Sequence, residues 1–170
     1  RLPMIVIKNV LVATDFSPAS DTAIAYGREL ARNFGAILHV LHVVENVYAY
    51  MVGTDAAIGA MIPSTLQQEL EKAAQRQLDA VVGEDDRREL HAKPVLLTGN
   101  GAAIEIVTYA RDAGIDIIVV GTHGRGPMSH LLMGNVAEKV VRTAPCPVLT
   151  VRHPEHEFVV PDALVRTARK

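Results

Sequence analysis

The sequence predicts an α/β protein, a doubly wound five-stranded parallel sheet with helices on both faces. Two observations predict it: short β-branched runs that are apolar on consecutive positions, and helical stretches that alternate with them along 170 residues. The first run is Ile5 to Ala13, and its unbroken apolar character is that of a strand covered on both faces. Ser17-Pro18 then opens a helix, since Ser caps well and Pro suits the first helical position. Ala23, Ile24, Gly27, Leu30, Ala31 and Phe34 give that helix one small or apolar face, and Asn33 to Gly35 end it. Ala36 to Val44 is the second strand and Ser64 to Val82 the second helix. Leu90 to Thr98, Ala102 to Ala113, Ile115 to Val120 and Val136 to Thr143 continue the alternation; Pro145 closes the last helix and Val148 to Val151 is the fifth strand.

Strict alternation implies right-handed crossovers, with ligands beyond the carboxyl ends of the strands at the switch point of the sheet. Two segments stand outside it. The connection Asn46 to Pro63 carries Tyr48, Tyr50, Met51, Ile58 and Met61 and reads as a flap over the sheet end, with a ligand lid or a partner contact as the alternatives. The tail from His153 to Lys170 ends on basic residues. Residues 1–152 therefore read as one domain and 153–170 as a C-terminal extension.

Composition narrows the function. The chain is 49% hydrophobic and 21% charged, with 17 basic against 19 acidic side chains and a net charge of −2. That balance offers no broad cationic surface for nucleic acid or an acidic membrane. No apolar run approaches the roughly 18 residues of a membrane-spanning helix, and the first residues, Arg1 to Ile5, lack the apolar core of a signal peptide. The one cysteine, Cys146, lies between Pro145 and Pro147 with no partner for an intramolecular disulfide, so a cytoplasmic location is expected.

The most informative stretch runs from Gly121 to Val136, leaving the fourth strand and entering the fourth helix. Glycines let a backbone curl its N–H groups around a phosphate, and the helix start adds free N–H groups and partial positive charge. Arg125 is a further cation there. The spacing alone leaves a purely structural turn open, in which Asn135 with Glu138 three residues on is a capping-box-like helix start. No Walker A spacing occurs. Gly99-Asn100-Gly101 begins like a dinucleotide fingerprint, but Ile104 stands where a small residue is needed, so it reads as a turn.

No nucleophile with a base and no carboxylate pair converges in the pattern, so no catalytic residue is assigned. His123 and His130 read as bystanders of the glycine loop. His39 and His42 have opposite strand parity and face opposite sides of the sheet. The tail histidines His153 and His156 do not make a structural zinc set, and Cys146 reads as a packed thiol.

Four stretches together resemble the universal stress protein family: Val12 to Ser17, His42 to Glu45, Asp116 to Gly124, and Pro145 to Leu149. The resemblance covers roughly residues 5 to 152. It implies a Rossmann-like sheet of the adenine nucleotide alpha hydrolase type with strand order 3-2-1-4-5. Nucleotide-binding members carry G-x2-G-x9-G-[ST]; Gly121, Gly124 and Gly134 occupy the glycine positions here, and Asn135 replaces the hydroxyl residue. The implied nucleotide-binding set is Ala13, Asp15, Val43, Gly121, Gly124, Gly134, Asn135 and Val136, joined by Arg125. Asp15 and Ala13 lie near the adenosine and Val43 lines the adenine slot.

The implied ligand is ATP or another adenine nucleotide, with Mg²⁺ arriving on the phosphates. It serves as a regulatory ligand with slow or no hydrolysis. The implied assembly is a homodimer through the strand Val148 to Arg152, with regulatory protein partners. The alternative is a nucleotide-free dimeric interaction module with a vestigial pocket, favoured by Asn135.

Overall fold

The computed structural model describes residues 4–51, 63–122 and 133–154, the side chains of 50 and 51 excepted. In chain order the elements are β1 (Asn9–Ala13), α1 (Pro18–Phe34), β2 (Ile37–Glu45), a 3-10 turn (Val47–Met51), α2 (Leu66–Val81), α3 (Glu84–Glu89), β3 (Lys93–Gly99), α4 (Ala102–Asp112), β4 (Ile117–Gly121), α5 (Asn135–Thr143) and β5 (Val148–Val151). The five strands are all parallel in the order β3-β2-β1-β4-β5, so the chain winds one way from β1 to β3 and the other way from β4 to β5.

Alternate residues of the same strands feed two cores. Val10, Val12, Leu38, Val40 and Val119 pack with Ala23, Ile24 and Ala31 of α1 and Leu78 of α2. Leu11, Leu41, Ile118 and Val120 pack on the other face with Ile106 and Ala110 of α4 and Ala137 and Val140 of α5. The consecutive apolar runs thus have the cause expected of them: each strand has helices on both faces.

α1 is held at both ends by local chemistry. Ser17 Oγ accepts the Ser20 N–H at 3.3 Å, Pro18 begins the helix, and Gly35 reverses the chain at φ 62°. Gly27 lies against β1 so closely that a Cβ there would fall 2.2 Å from Val12 Cγ2.

Beyond shifts of one or two residues at element ends, the structure departs from the expected reading in four places. Ile5 to Lys8 is not strand: Met4, Ile5 and Val6 are exposed, and the Asp116 carboxylate takes the N–H groups of Lys8 and Asn9 at 2.7 and 2.9 Å where the ladder begins. Phe34, expected on the buried face of α1, is the exposed last residue before Gly35 turns the chain. The expected second helix closes at Val81 and is followed by α3, which no apolar period announces because none of its residues is buried. Arg28 anchors α3 instead, its Nε and Nη2 on both oxygens of Asp86 at 2.7–3.1 Å and Nη2 also on the Val81 carbonyl. The third strand starts at Lys93 rather than Leu90 because the Leu90 and Ala92 N–H groups are bonded to the Asp86 carbonyl around His91 at φ 47°.

Candidate functional site

The chain reverses its winding between β1 and β4, and the connections that leave their carboxyl ends are the β1–α1 turn and the glycine loop. The β1–α1 turn is tightly bonded. The Thr14 N–H donates to the Leu41 carbonyl at 2.9 Å, and Thr14 Oγ1 lies 3.0 Å from both Ser20 Oγ and the Phe16 N–H. Asp15 Oδ1 accepts the Ser17 N–H at 3.0 Å, closing an Asx turn. Its Oδ2 has no hydrogen-bond partner among the described residues. Phe16 sits at φ 62°, a left-handed conformation that costs a phenylalanine about 1–2 kcal/mol. The His42 ring stacks on it at 4.4 Å between centroids, and His42 Nδ1 donates to the Thr14 carbonyl at 2.7 Å. Thr14, Ser17 and Ser20 are all buried.

Ala13 and Val43, the sequence candidates for a base slot, are partly buried on the α4–α5 face among Val95, Leu97, Ala102 and Ala103. Asp15 thus belongs to the turn at the switch point, and Ala13 and Val43 to the wall on one side of the sheet.

The glycine loop is tied at both ends. The Thr122 N–H extends the sheet by donating to the Val151 carbonyl at 2.8 Å, and the Gly134 N–H donates to the Thr122 carbonyl at 2.6 Å. That second bond brings the start of α5 to the carboxyl end of β4. Gly121 has a packing reason to be glycine, because a Cβ there would come within 3.0 Å of the Ala19 carbonyl carbon and oxygen in the first turn of α1. Gly134, at φ −57° and ψ 148°, is in a conformation open to any residue. Gly124 and Arg125, with His123 and His130, lie outside the described residues.

Asn135 does not cap α5 as the capping-box reading expects. It is the first helical residue, Gly134 is the cap, and among the described residues no side-chain cap bonds the helix start. The Glu138 N–H donates to the Gly134 carbonyl at 2.9 Å, so the N–H groups of Asn135, Val136 and Ala137 have no acceptor within the helix. Asn135 and Val136 are exposed. An exposed helix start whose first donors have no acceptor within the helix suits an anion. The start of α4 is different: Gly101 caps it in extended backbone, and the Glu105 side chain lies over Gly99, placing an acid there. The Gly99-Asn100-Gly101 lookalike is therefore a turn next to negative charge.

The remaining candidates separate. His39 is buried towards α4, with Nδ1 2.7 Å from the Tyr109 hydroxyl and Nε2 3.3 Å from Asn9 Oδ1, whereas His42 meets Phe16 on the α1 face. The two rings do face opposite sides. Burial, reinforced by the Lys93 ammonium, lowers the His39 pKa to about 4. Cys146 is partly buried in the α4–α5 core, and burial first, then the Asp116 charge, pushes its thiol pKa up, so it packs rather than reacts. Among the described residues no three His, Cys, Asp or Glu side chains cluster as metal ligands, and no helix is long and apolar enough to cross a membrane. A shallow recess between Gly35 and His91 lies at the amino ends of the strands, away from Asp15 and the glycine loop.

The buried hydroxyls of Thr14, Ser17 and Ser20 and the ring of His42 are the parts of this site that sequence reading missed. Three hydroxyl residues within seven positions of a βα turn were the available signal.

Comparison with known proteins agrees with the fold. The model of the universal stress protein family matches residues 7–152. The chain is 31% identical over 150 residues to the universal stress protein MJ0531 of Methanocaldococcus jannaschii, covering 88% of this chain and 85% of that one. Among solved structures it resembles the protein MJ0577 of the same archaeon with a TM-score of 0.64 and 25% identity, over 89% of this chain and 99% of that one. It also resembles a universal stress protein from Archaeoglobus fulgidus in complex with dAMP, with a TM-score of 0.60 and 21% identity, over 87% and 99% of the two chains.

Proposed function

The chain belongs to the universal stress protein family, and from that premise we propose that it binds ATP or another adenine nucleotide as a regulatory ligand, with slow or no hydrolysis. The observation that carries the reading is the Gly134-to-Thr122 bond, which sets the first N–H groups of α5, unpaired within the helix, at the end of the loop that begins at Gly121. The phosphates lie against Gly121, Gly124, Gly134 and the backbone of Asn135 and Val136, with Arg125 as counter-charge. The unpartnered Asp15 oxygen accepts from the ribose or the base, and Ala13 and Val43 line the base slot. The A. fulgidus complex with dAMP speaks for what the shared fold accommodates. Mg²⁺ accompanies a triphosphate, mostly through phosphate and water oxygens.

Among the described residues β5 is a sheet edge paired with β4 alone, and in our reading a second copy pairs there through residues 148–152, making a cytoplasmic homodimer that signals to protein partners. Residues 153–170 are its C-terminal extension.

A second reading has one observation behind it: at the start of α5 an exposed amide, Asn135, stands where the nucleotide-binding motif has a hydroxyl. On that reading the pocket is vestigial and the dimer itself is the functional unit. Calorimetry with ATP on nucleotide-stripped protein, with and without Mg²⁺, separates the two. The expected result is micromolar or tighter binding that Gly124→Asp abolishes, by putting bulk and negative charge at the phosphates, and that Asn135→Ser preserves or strengthens. No binding at millimolar ATP would establish the second reading.

A further inference from the structure

We propose that His42 is a positioning residue for Asp15, holding the β1–α1 turn in the one shape that leaves an Asp15 oxygen free for the adenosine half of the ligand. The inference rests on the nucleotide reading of this site. β1 stops at Ala13, opposite Leu41, so His42 is one residue past the last paired position of the ladder. There its side chain supplies what the backbone no longer does, an N–H to the Thr14 carbonyl at 2.7 Å from Nδ1. The acceptor is a carbonyl, so Nδ1 carries the proton. The same ring lies on Phe16, 4.4 Å between centroids and tilted by 32°, and Phe16 is the residue at φ 62°.

Asp15 stands between these two held residues. One imidazole thus grips the turn on both sides of the acid, by a hydrogen bond before it and a stacked ring after it. The strained backbone at Phe16 persists because its surroundings fix it. With Oδ1 committed to the Ser17 N–H, the turn presents Oδ2 as its one uncommitted acidic acceptor. Releasing the grip lets Phe16 relax out of the left-handed region and carries Asp15 with it.

The test is a double-mutant cycle on nucleotide-stripped full chain, reading ATP affinity by calorimetry. Asp15→Asn should weaken ATP about tenfold, the scale of one charge-assisted hydrogen bond. His42→Phe, which keeps a stacked ring and removes the N–H donor, should weaken it about three- to tenfold. The double variant should bind no more weakly than Asp15→Asn alone, and inorganic tripolyphosphate, which has no adenosine, should bind wild type and His42→Phe within twofold. Additive losses in the cycle, or an equal loss for tripolyphosphate, would overturn the positioning role while leaving nucleotide binding intact. Absence of ATP binding by the wild type would overturn the nucleotide reading and His42's role with it. If His42→Phe does not fold, as judged by circular dichroism, His42→Gln retains a donor without the ring. Asp15-dependent weakening by His42→Gln would then support the proposal, and weakening additive with Asp15→Asn would overturn it.

Discussion

At the scale of single residues, the buried histidine of β2 is the most exposed to test. Asn9 Nδ2 donates to the Gly114 carbonyl at 3.3 Å, which leaves Asn9 Oδ1 as an acceptor and puts the His39 proton on Nε2. Nδ1 is then the acceptor for the Tyr109 hydroxyl. Both ring positions are filled by the neutral tautomer, and a second proton would reverse the Tyr109 bond and bury a positive charge near Lys93 across the strand pair. The folded pKa of about 4 lies below the ordinary 6.5, so the unfolded chain takes up the proton first as pH falls. His39 should therefore contribute its full share of stability above pH 6.5 and lose it progressively down to about pH 4, a loss of up to about 3 kcal/mol. Urea midpoints across that range should fall more steeply for wild type than for His39→Asn; parallel curves would show that the ring is not held neutral.

At the scale of elements, the close approach of α1 to the sheet decides the packing. Gly27 sits in the interior of the helix, where alanine ordinarily gains about 1 kcal/mol over glycine. A methyl there would overlap Val12, which is fully buried in β1. Overpacking of this kind costs about 1–3 kcal/mol and outweighs the helical gain. Gly27→Ala should thus lower the urea midpoint, and an unchanged or higher one would show that Val12 gives way. α1 illustrates how far local sequence reaches: Ser17-Pro18 and Gly35 set its ends as read, whereas Phe34 looks like a core residue by period and is the exposed last residue of the helix.

At the scale of the whole molecule, a ligand held as proposed at the switch point would bridge β1, β4 and α5, and by binding only the folded state it should stabilise the entire domain. At free ATP about 100-fold above its dissociation constant the gain is about 2.7 kcal/mol. For a domain of this size that corresponds to a rise in Tm of roughly 5–10 °C. A thermal melt should show it in wild type and not in Gly124→Asp, while tripolyphosphate should produce part of it by engaging the phosphate end alone. A wild-type Tm that ATP leaves unmoved would remove the ligand from the account of this molecule.

The sequence by itself determined the alternating order of elements, the two-sided cover of each strand and the ends of α1, because these follow from local hydrophobic pattern and capping chemistry, which neighbours along the chain express. The resemblance to the universal stress protein family, carried by short stretches of the same sequence, marked Asp15 and the three-glycine spacing as candidates for a ligand site. Only the tertiary structure decided that β1 begins at Asn9 under the Asp116 carboxylate, that α3 exists on the strength of Arg28, that Gly121 is small to clear Ala19, and that His42 grips the Asp15 turn. Each of these joins residues far apart in the chain, or depends on a backbone angle, and periodicity carries neither.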